Sequence, residues 1–457
     1  MNRTLAELAR VAGGALHGAD AAFGTVQIDS RTIEPGALFV ALRGERVDGH
    51  QFVPDVAARG AAGALVAGRV ESALPQVVVP DVLEALTAYA REWRGAYAGT
   101  VVGITGSNGK TTVKEMTGEI LSRAGSCLVT RGNLNNHIGV PLTVCRLEPA
   151  HRYAVIEMGA NHQREIAHLA TISRPDVGLV INAGPAHLEG FGGLEGVARG
   201  KGEMFSAIGV AGTAVINADD RFAAYWHGLA RGAGRVITFG MRERADFTAS
   251  RLEERLVDEG FVTEFDLDCP LGRRRIALRL AGEHNVMNAL AASATAYAAG
   301  AGFDAIADGL AGMRAVAGRL EMKPVTGGAR LIDDSYNANP GSVRAGLRTL
   351  AGLPGQRWLV LGEMRELGEE SARMHAEIGE AARQSGVSRL LAVGDDAHHA
   401  VEAFGAGATW FANADDLIAA LRVELGPDVT VMVKGSRSNR LERVAAALSP
   451  GSQAEGH

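Results

Sequence analysis

Three α/β units in series, with a central phosphate-loop unit built on a mostly parallel sheet, is the fold class this sequence predicts. Three observations predict it. The chain has 457 residues, too many for one ordinary hydrophobic core. Short apolar runs alternate with helical stretches, the rhythm of βαβ units. A glycine-rich turn, 103-GITGSNGKTTVKEM-116, stands directly behind the apolar run Thr100-Val101-Val102, at the strand end where such sheets hold ligands.

The units follow in order. In residues 1–98, Val26-Gln27-Ile28 and 37-ALFVAL-42 read as strands joined by the turn 34-EPG-36, and 64–66 and 77–79 as two more. Helical spacing from Val82 to Tyr97 closes this small N-terminal α/β unit. Residues 99–314 carry the strongest rhythm, with strands 101-VVGIT-105, 154-AVIEM-158, 177-VGLVIN-182 and 213-TAVINA-218 separated by helices. That pattern predicts a parallel sheet covered on both faces. An alanine-rich helical region, Ala289 to Ala317, ends the unit, with a boundary near Gly312 to Gly318. Residues 315–457 repeat the rhythm with strands 330-RLIDD-334, 358-WLVLG-362, 389-RLLAVG-394 and 429-VTVMVKG-435, a C-terminal Rossmann-like unit. The tail 450-PGSQAEGH-457 reads as disordered.

Composition narrows the function classes. A net charge of −6 without a Lys/Arg-rich block argues against nucleic acid as the main partner. The three cysteines, Cys127, Cys145 and Cys269, have no CxxC spacing and read as buried free thiols in a reducing compartment. No signal peptide opens the chain and no apolar run is long enough to span a bilayer. A cytoplasmic protein without membrane insertion is expected, and a monomer, since no long exposed apolar stripe stands out.

The glycine-rich turn carries the chemistry. Gly106 and Gly109 are expected to turn through φ > 0 and bring the N–H groups of Thr105 to Thr112 toward an anion, at the positive end of the following helix. Lys110 would reach the β- and γ-phosphates of a nucleotide, and Thr111 would offer its hydroxyl to Mg²⁺. The spacing departs from the strict phosphate-loop pattern, with five residues rather than four between Gly103 and Gly109.

Other candidates fall beyond strand ends. Glu157 ends 154-AVIEM-158; it is either a Mg²⁺ ligand, since hard cations take carboxylate oxygen, or a helix N-terminal carboxylate. His187, in 182-NAGPAHLEGFG-192, is either a site residue or a hydrogen-bonded surface histidine. Lys201, in 198-ARGKGEMF-205, offers an ammonium to a phosphate. Asn288, in 282-GEHNVMN-288, suits a helix cap or an adenine edge. In 331-LIDDSYNANPGS-342, Asp333, Asp334, Asn337 and Asn339 favour a ligand contact over ordinary turn chemistry. Lys434 and Arg437, in 434-KGSR-437, have the charge and loop setting to hold a carboxylate.

Taken together these motifs resemble the Mur ligase family, which writes its phosphate loop with the five-residue spacing seen here. The resemblance runs over essentially the whole chain. It is closest to the members that add D-alanyl-D-alanine to UDP-N-acetylmuramoyl tripeptide, through 131-RGNLNNHIGVPLT-143, 157-EMGANHQREI-166, 333-DDSYNANPGS-342, 361-LGEMRELGEES-371 and 434-KGSRS-438. The Asp-Asn-Pro-Arg motif of the relatives that add the third residue is absent. Arg164 stands where glycine is common in the family, and Gly341 where aspartate is usual.

The resemblance implies an ATP-dependent ligase working with Mg²⁺ through an acyl phosphate, in the last cytoplasmic ligation of the peptidoglycan precursor pentapeptide. It implies that Ser30 and Arg31 hold the uridine end of the substrate, and that Asn133, Asn135 and Asn136 face its sugar and peptide. Glu157 and His187 would bind magnesium, and Lys201 would be carbamylated and supply an anionic oxygen. Asn288 would meet adenine, with Arg319 and Asp334 contacting the nucleotide across the unit junction. Asn337, Asn339, Lys434, Gly435 and Ser436 would receive the dipeptide. Three reactants in three units imply closure, with glycines near 312 and 318 as the hinge.

Two rivals make different demands. A folate polyglutamylating enzyme would lack the uridine-binding first unit with 29-DSR-31. A regulatory phosphate-loop NTPase would need no amine co-substrate and no second α/β unit bearing 333-DDSYNANP-340.

Overall fold

The structure is a computed structural model describing residues 3–257, 260–325 and 327–449. The tail 450–457 lies outside the described residues.

Each of the three units is built around its own sheet, as the alternating pattern predicts. The first has five strands in the order Ala15–His17, Gln76–Val78, Gly63–Val66, Leu38–Val40, Val26–Gln27, parallel except for the first pair. The second has six parallel strands in the order Arg235–Phe239, Thr213–Asn217, Val177–Val180, Thr100–Thr105, Tyr153–Glu157, Cys127–Val129. The third also has six, in the order Glu321–Pro324, Arg330–Asp334, Val429–Lys434, Gln356–Gly362, Arg389–Val393, Ala408–Phe411, with only the first pair antiparallel.

In the central sheet the chain runs outward in opposite directions from Thr100–Thr105. Its neighbours Val177–Val180 and Tyr153–Glu157 therefore splay their following loops apart and open a crevice at the carboxyl ends. Alternate side chains of one strand enter different cores. Val101 packs toward the first unit with Tyr89, Leu142 and Ile156, while Val102 and Ile104 pack with Val113, Leu290 and Ile306 on the other face. The first unit's core is thus continuous with one face of the central sheet.

Arg94 fastens that junction. It lies on the helix Val82–Gly95 with 8 % exposure. Its guanidinium donates to Ser173 O (2.7 Å), Arg174 O (2.8 Å), Tyr97 O (3.1 Å) and Asp176 Oδ2 (3.1 Å), covering the last carbonyls of the helix Glu165–Ser173. Arg94→Met leaves those buried carbonyls unpaired and should cost about 2–4 kcal/mol. A lowered urea midpoint checks this; an unchanged midpoint would mean the tether contributes nothing.

Two expectations for the central unit need correction. The charged stretch Thr248–Leu278 is not part of a parallel sheet with helices. It forms a separate antiparallel meander of Thr248–Val257, Gly260–Cys269 and Gly272–Leu278, whose Phe265, Leu267, Ile276 and Leu278 pack among the residues of the second core. Its first strand is mostly exposed, so alternation was masked by Arg and Glu on both faces. The alanine-rich region is two helices, Glu283–Ala298 and Phe303–Gly312, because Gly300 takes φ 94 and ends the first. Residues 313–317 are not helical. The strands 15–17, 127–129, 235–239, 321–324 and 408–411 were also not expected; four have only three or four residues, too few to show a period. Of the cysteines, Cys145 and Cys269 are buried free thiols while Cys127 is half-buried.

Candidate active site

The phosphate loop follows the strand Thr100–Thr105 and opens the helix Lys110–Ala124. Gly109 sits at φ 82, and a Cβ there would come within 2.5 Å of Asn288 Oδ1, so this position needs glycine twice over. Gly106 also has positive φ, at 159, near-extended rather than helical, and is pressed against Ile181. Asn182 braces the loop: its Oδ1 accepts from Asn108 N (2.9 Å) and its Nδ2 donates to Asn108 O (3.1 Å). Ser107 Oγ exchanges hydrogen bonds with Gly184. The Lys110 ammonium donates to Gly106 O at 2.8 Å. Burial lowers its pKa first, opposed by Glu157 and reinforced by Arg319, so these three charges share one neighbourhood.

A cavity of about 1240 Å³ spreads from this loop into the third unit. It is walled by Ser107 to Thr112, Asn133, Asn135, Asn136, Glu157, His187, Asn288, Arg319, Asp334, Asn337, Asn339 and Lys434. Most of the residues singled out from sequence, on elements hundreds of positions apart, therefore face one space. Lys201 and Ser436 are buried beneath the wall rather than in it. Thr105 ends the strand and Gly106 opens the loop, and neither lines the cavity. Ser30 and Arg31 are not brought to this cavity; Arg31 is at the first unit's surface, its guanidinium forked onto Asp29 (2.9 and 2.7 Å), which holds the Asp29 carboxyl down at about 2.

Glu157 ends its strand with 2 % exposure. Its Oε1 accepts from Asn135 Nδ2 (2.8 Å), whereas Oε2 has no hydrogen-bond partner, and the Lys114 ammonium stands 3.9 Å from it. A buried, unpartnered carboxylate oxygen is what a hard cation would take. No group of three or more His, Cys, Asp or Glu suited to an ion occurs among the described residues. A magnesium ion here would therefore draw on Glu157, His187 and the Thr111 hydroxyl together with substrate oxygens. As an ammonium Lys201 cannot serve as a ligand. It is wholly buried, donates to Ala160 O (3.1 Å) and lies over the Phe191 ring. Desolvation, with Lys110 adding repulsion, pushes its pKa well below the usual lysine value, toward a neutral amine.

The third unit reaches the phosphate loop through Arg319 and Asn339, and His187 through Glu366. Arg319 Nη2 donates to Thr111 Oγ1 (3.1 Å) and its guanidinium lies over Tyr336. Asn339 caps the helix Pro340–Ala351 through a capping box with Ser342, and its Nδ2 donates to Asn108 Oδ1 (2.7 Å). His187 Nδ1 meets the Glu366 carboxylate, and this pairing holds Glu366 below the ordinary glutamate value. Lys434 pairs with Asp334 (2.6 Å) and donates to Asn337 O (3.0 Å); burial pushes Asp334 up against the pull of that ammonium. Ser436 Oγ accepts from Arg365 N, so its hydroxyl is engaged within the third unit.

Some assignments shift. Asn288 is inside the helix Glu283–Ala298, not at its cap, and its Nδ2 donates to Asn285 Oδ1 at 3.1 Å. Asn136 Oδ1 is spent on the backbone of Ile138 and Gly139, at the start of the short helix Gly139–Val144. Arg164 takes φ 70, the left-handed backbone that glycine adopts without strain, and Gly341 faces Asn108 and Asn339.

Sequence reasoning missed Lys114, Asn182, His284, Arg348 and Glu366. Lys114, one helical turn after Lys110, is the one whose spacing was visible. It ties the 130–132 segment to the phosphate-loop helix through Thr130 O (2.9 Å) and Gly132 O (3.4 Å). His284, at the cavity wall, is pushed down to about 4 by burial, with Arg348 and Lys434 adding repulsion. An imidazole depressed from 6.5 gives stability that is intact above pH 6.5 and lost as pH falls toward 4, because the unfolded chain takes the proton first. The loss is at most about 3 kcal/mol. His284→Asn should flatten the fall in urea midpoint between pH 7 and 4.5; an equal fall in both proteins would remove His284 as the cause.

Comparison with known proteins agrees with this layout. Three family models match along the chain: the Mur ligase family catalytic domain over residues 22–94, the Mur ligase middle domain over 104–296, and the Mur ligase glutamate ligase domain over 318–437. The UDP-N-acetylmuramoyl-tripeptide--D-alanyl-D-alanine ligase of Escherichia coli is 45% identical over 448 residues, covering 97% of this chain and 98% of its own. A crystal structure of MurF from Acinetobacter baumannii superposes with a TM-score of 0.89 at 35% identity, covering 98% of both chains. MurF from Thermotoga maritima in complex with ADP superposes at 0.79 and 27%, covering 93% of this chain and 96% of that one. With three consecutive family models along its length and such identity over almost all of it, the chain belongs to the Mur ligase family.

Proposed function

We infer that this protein is the ATP-dependent ligase that joins D-alanyl-D-alanine to UDP-N-acetylmuramoyl tripeptide. This is the last ligation before the pentapeptide precursor of peptidoglycan is complete, and so it serves cell-wall growth, cell shape and division. The observation that carries the reading is the single cavity shared by the phosphate loop, Glu157 and the Asp334–Lys434 cluster, in a chain of which relatives with that activity are near full-length matches.

The reaction divides among the units. Loop N–H groups and Lys110 hold the β- and γ-phosphates of ATP, with Asn288 at adenine and Arg319 and Asp334 at the nucleotide. Asn133, Asn135 and Asn136 face the sugar and peptide, and Ser30 and Arg31 take the uridine end. The tripeptide's terminal carboxylate attacks the γ-phosphate, ADP leaves, and the acyl phosphate is attacked by the free amine of the dipeptide with loss of phosphate. Lys110 and Arg319 neutralise charge as the phosphoryl group moves. Asn337, Asn339, Lys434 and Ser436 position the dipeptide. Magnesium, held by Glu157, His187 and Thr111, would supply further charge neutralisation. The buried Lys201 amine, driven toward its neutral form, suits carbamylation by CO₂, which would turn it into an anionic ligand beside that ion.

A tripeptide labelled with ¹⁸O in its terminal carboxylate tests the acyl phosphate. One labelled oxygen should appear in the released phosphate; unlabelled phosphate would rule that route out. ATP and nucleotide-linked substrates place the work in the cytoplasm, and among the described residues no helix is long and apolar enough to cross a membrane. The expected solution state is a monomer, which sedimentation will read directly.

A further inference from the structure

We propose that Glu366, brought into the site by the third unit, is a positioning residue that orients His187 for the metal, so that the metal site is complete only when the third unit has closed. The proposal rests on the ligase reading above.

Two backbone positions carry it. His187 has φ 55 and Glu366 has φ 64, both in the left-handed region, and neither is glycine. Such conformations persist only where the surroundings over-determine them, and they cluster at functional sites. Here two of them are used to bring one imidazole nitrogen, Nδ1, against one carboxylate across the junction between units.

Each side is anchored in its own unit. His187 precedes the short helix Leu188–Phe191, whose Phe191 is buried in the central core. Around Glu366, Met364 N donates to the buried His375 Nε2 (2.9 Å), Arg365 N donates to Ser436 Oγ (2.9 Å) and Leu367 enters the third unit's core. The turn therefore moves with the third unit rather than as a loose loop. The missing Cβ of Gly368 sits 3.8 Å from Glu189 Cβ, so the same turn packs directly on the helix that follows His187.

His187 Nδ1 lies against the Glu366 carboxylate and has no other partner; a carboxylate drawn onto Nδ1 would keep the imidazole proton there and leave the Nε2 lone pair free, the arrangement by which second-layer carboxylates orient metal-binding histidines. Glu366 is half exposed and its carboxylate stands against His187 Nδ1. Coupling the metal site to closure would hold back the first chemical step until the unit carrying the amine site has arrived.

The test is a titration of the ADP-bound full chain with Mn²⁺ as the probe ion, followed by electron paramagnetic resonance, for the unmodified protein, Glu366→Ala, Glu366→Gln, His187→Ala and the double variant. Glu366→Ala should weaken Mn²⁺ binding about tenfold. Glu366→Gln should recover part of that loss, since its amide oxygen can accept from Nδ1. The double variant should lose no more than His187→Ala alone. An unchanged Mn²⁺ titration in Glu366→Ala, or losses that add in the double variant, would overturn the proposal. Product formation by the unmodified protein is read separately. If it fails, the ligase reading falls; if it succeeds while the titration is unaffected, only the role of Glu366 falls.

Discussion

Lys110→Ala should lower the ligation rate about 10³-fold, equivalent to about 4 kcal/mol of transition-state stabilisation, with the fold intact. The ammonium lies within the phosphate loop, on Gly106 O, and shares its surroundings with Glu157 and Arg319. Phosphoryl transfer leaves a protein little to do beyond positioning and neutralising charge, so if Lys110 is the cation on the phosphates, deleting it removes a large part of the catalysis. Its polar contacts are the loop carbonyls of Gly106 and Ser107. Turnover measured with all three substrates, beside a thermal midpoint, checks both halves of the expectation. A variant with unchanged turnover would end the phosphate-loop reading.

Lys201→Ala should also lose activity by orders of magnitude, with one difference: short carboxylates such as formate or acetate should restore part of it. The side chain is fully buried, with one carbonyl partner and the face of Phe191. If its work is done as a carbamate, the cavity left by alanine can admit a free carboxylate in its place. If its work is only to fill space and donate to Ala160, activity falls through lost packing and no added anion brings it back. A ¹³C resonance from ¹³CO₂-equilibrated protein, absent in the variant, gives an independent reading of the same point.

What the sequence disclosed depended on how local the signal was. The phosphate loop was legible because its glycines, Lys110 and Thr111 are contiguous and sit between a strand and a helix. Glu157 was legible as the last residue of an apolar run. The clusters around Asp334 and Lys434 were each visible, but their ion pair, joining strands a hundred positions apart, was not. Contacts across units were beyond reach for the same reason: Arg319 to Thr111, Asn339 to Asn108 and Glu366 to His187 follow only from how the third unit docks. The positive φ of Gly109 and Gly106 was read from their neighbours, while the closeness of Gly106 to Ile181 was not, because Ile181 follows another strand. The meander at 248–278 was lost because charge on its exposed strand hid the alternation. The assignments of Ser30 and Arg31 came only from the family resemblance, and they stand on the first unit, away from the cavity.

The central claim is that one chain couples ATP to the joining of two specific substrates. Phosphate release with Mg²⁺ and ATP, measured with UDP-N-acetylmuramoyl tripeptide and D-alanyl-D-alanine added singly and together, tests it most directly. Release that requires both, with a new amide product of the combined mass, is the predicted result. Release indifferent to either substrate would contradict it, leaving a nucleotide-hydrolysing protein with a ligase's fold.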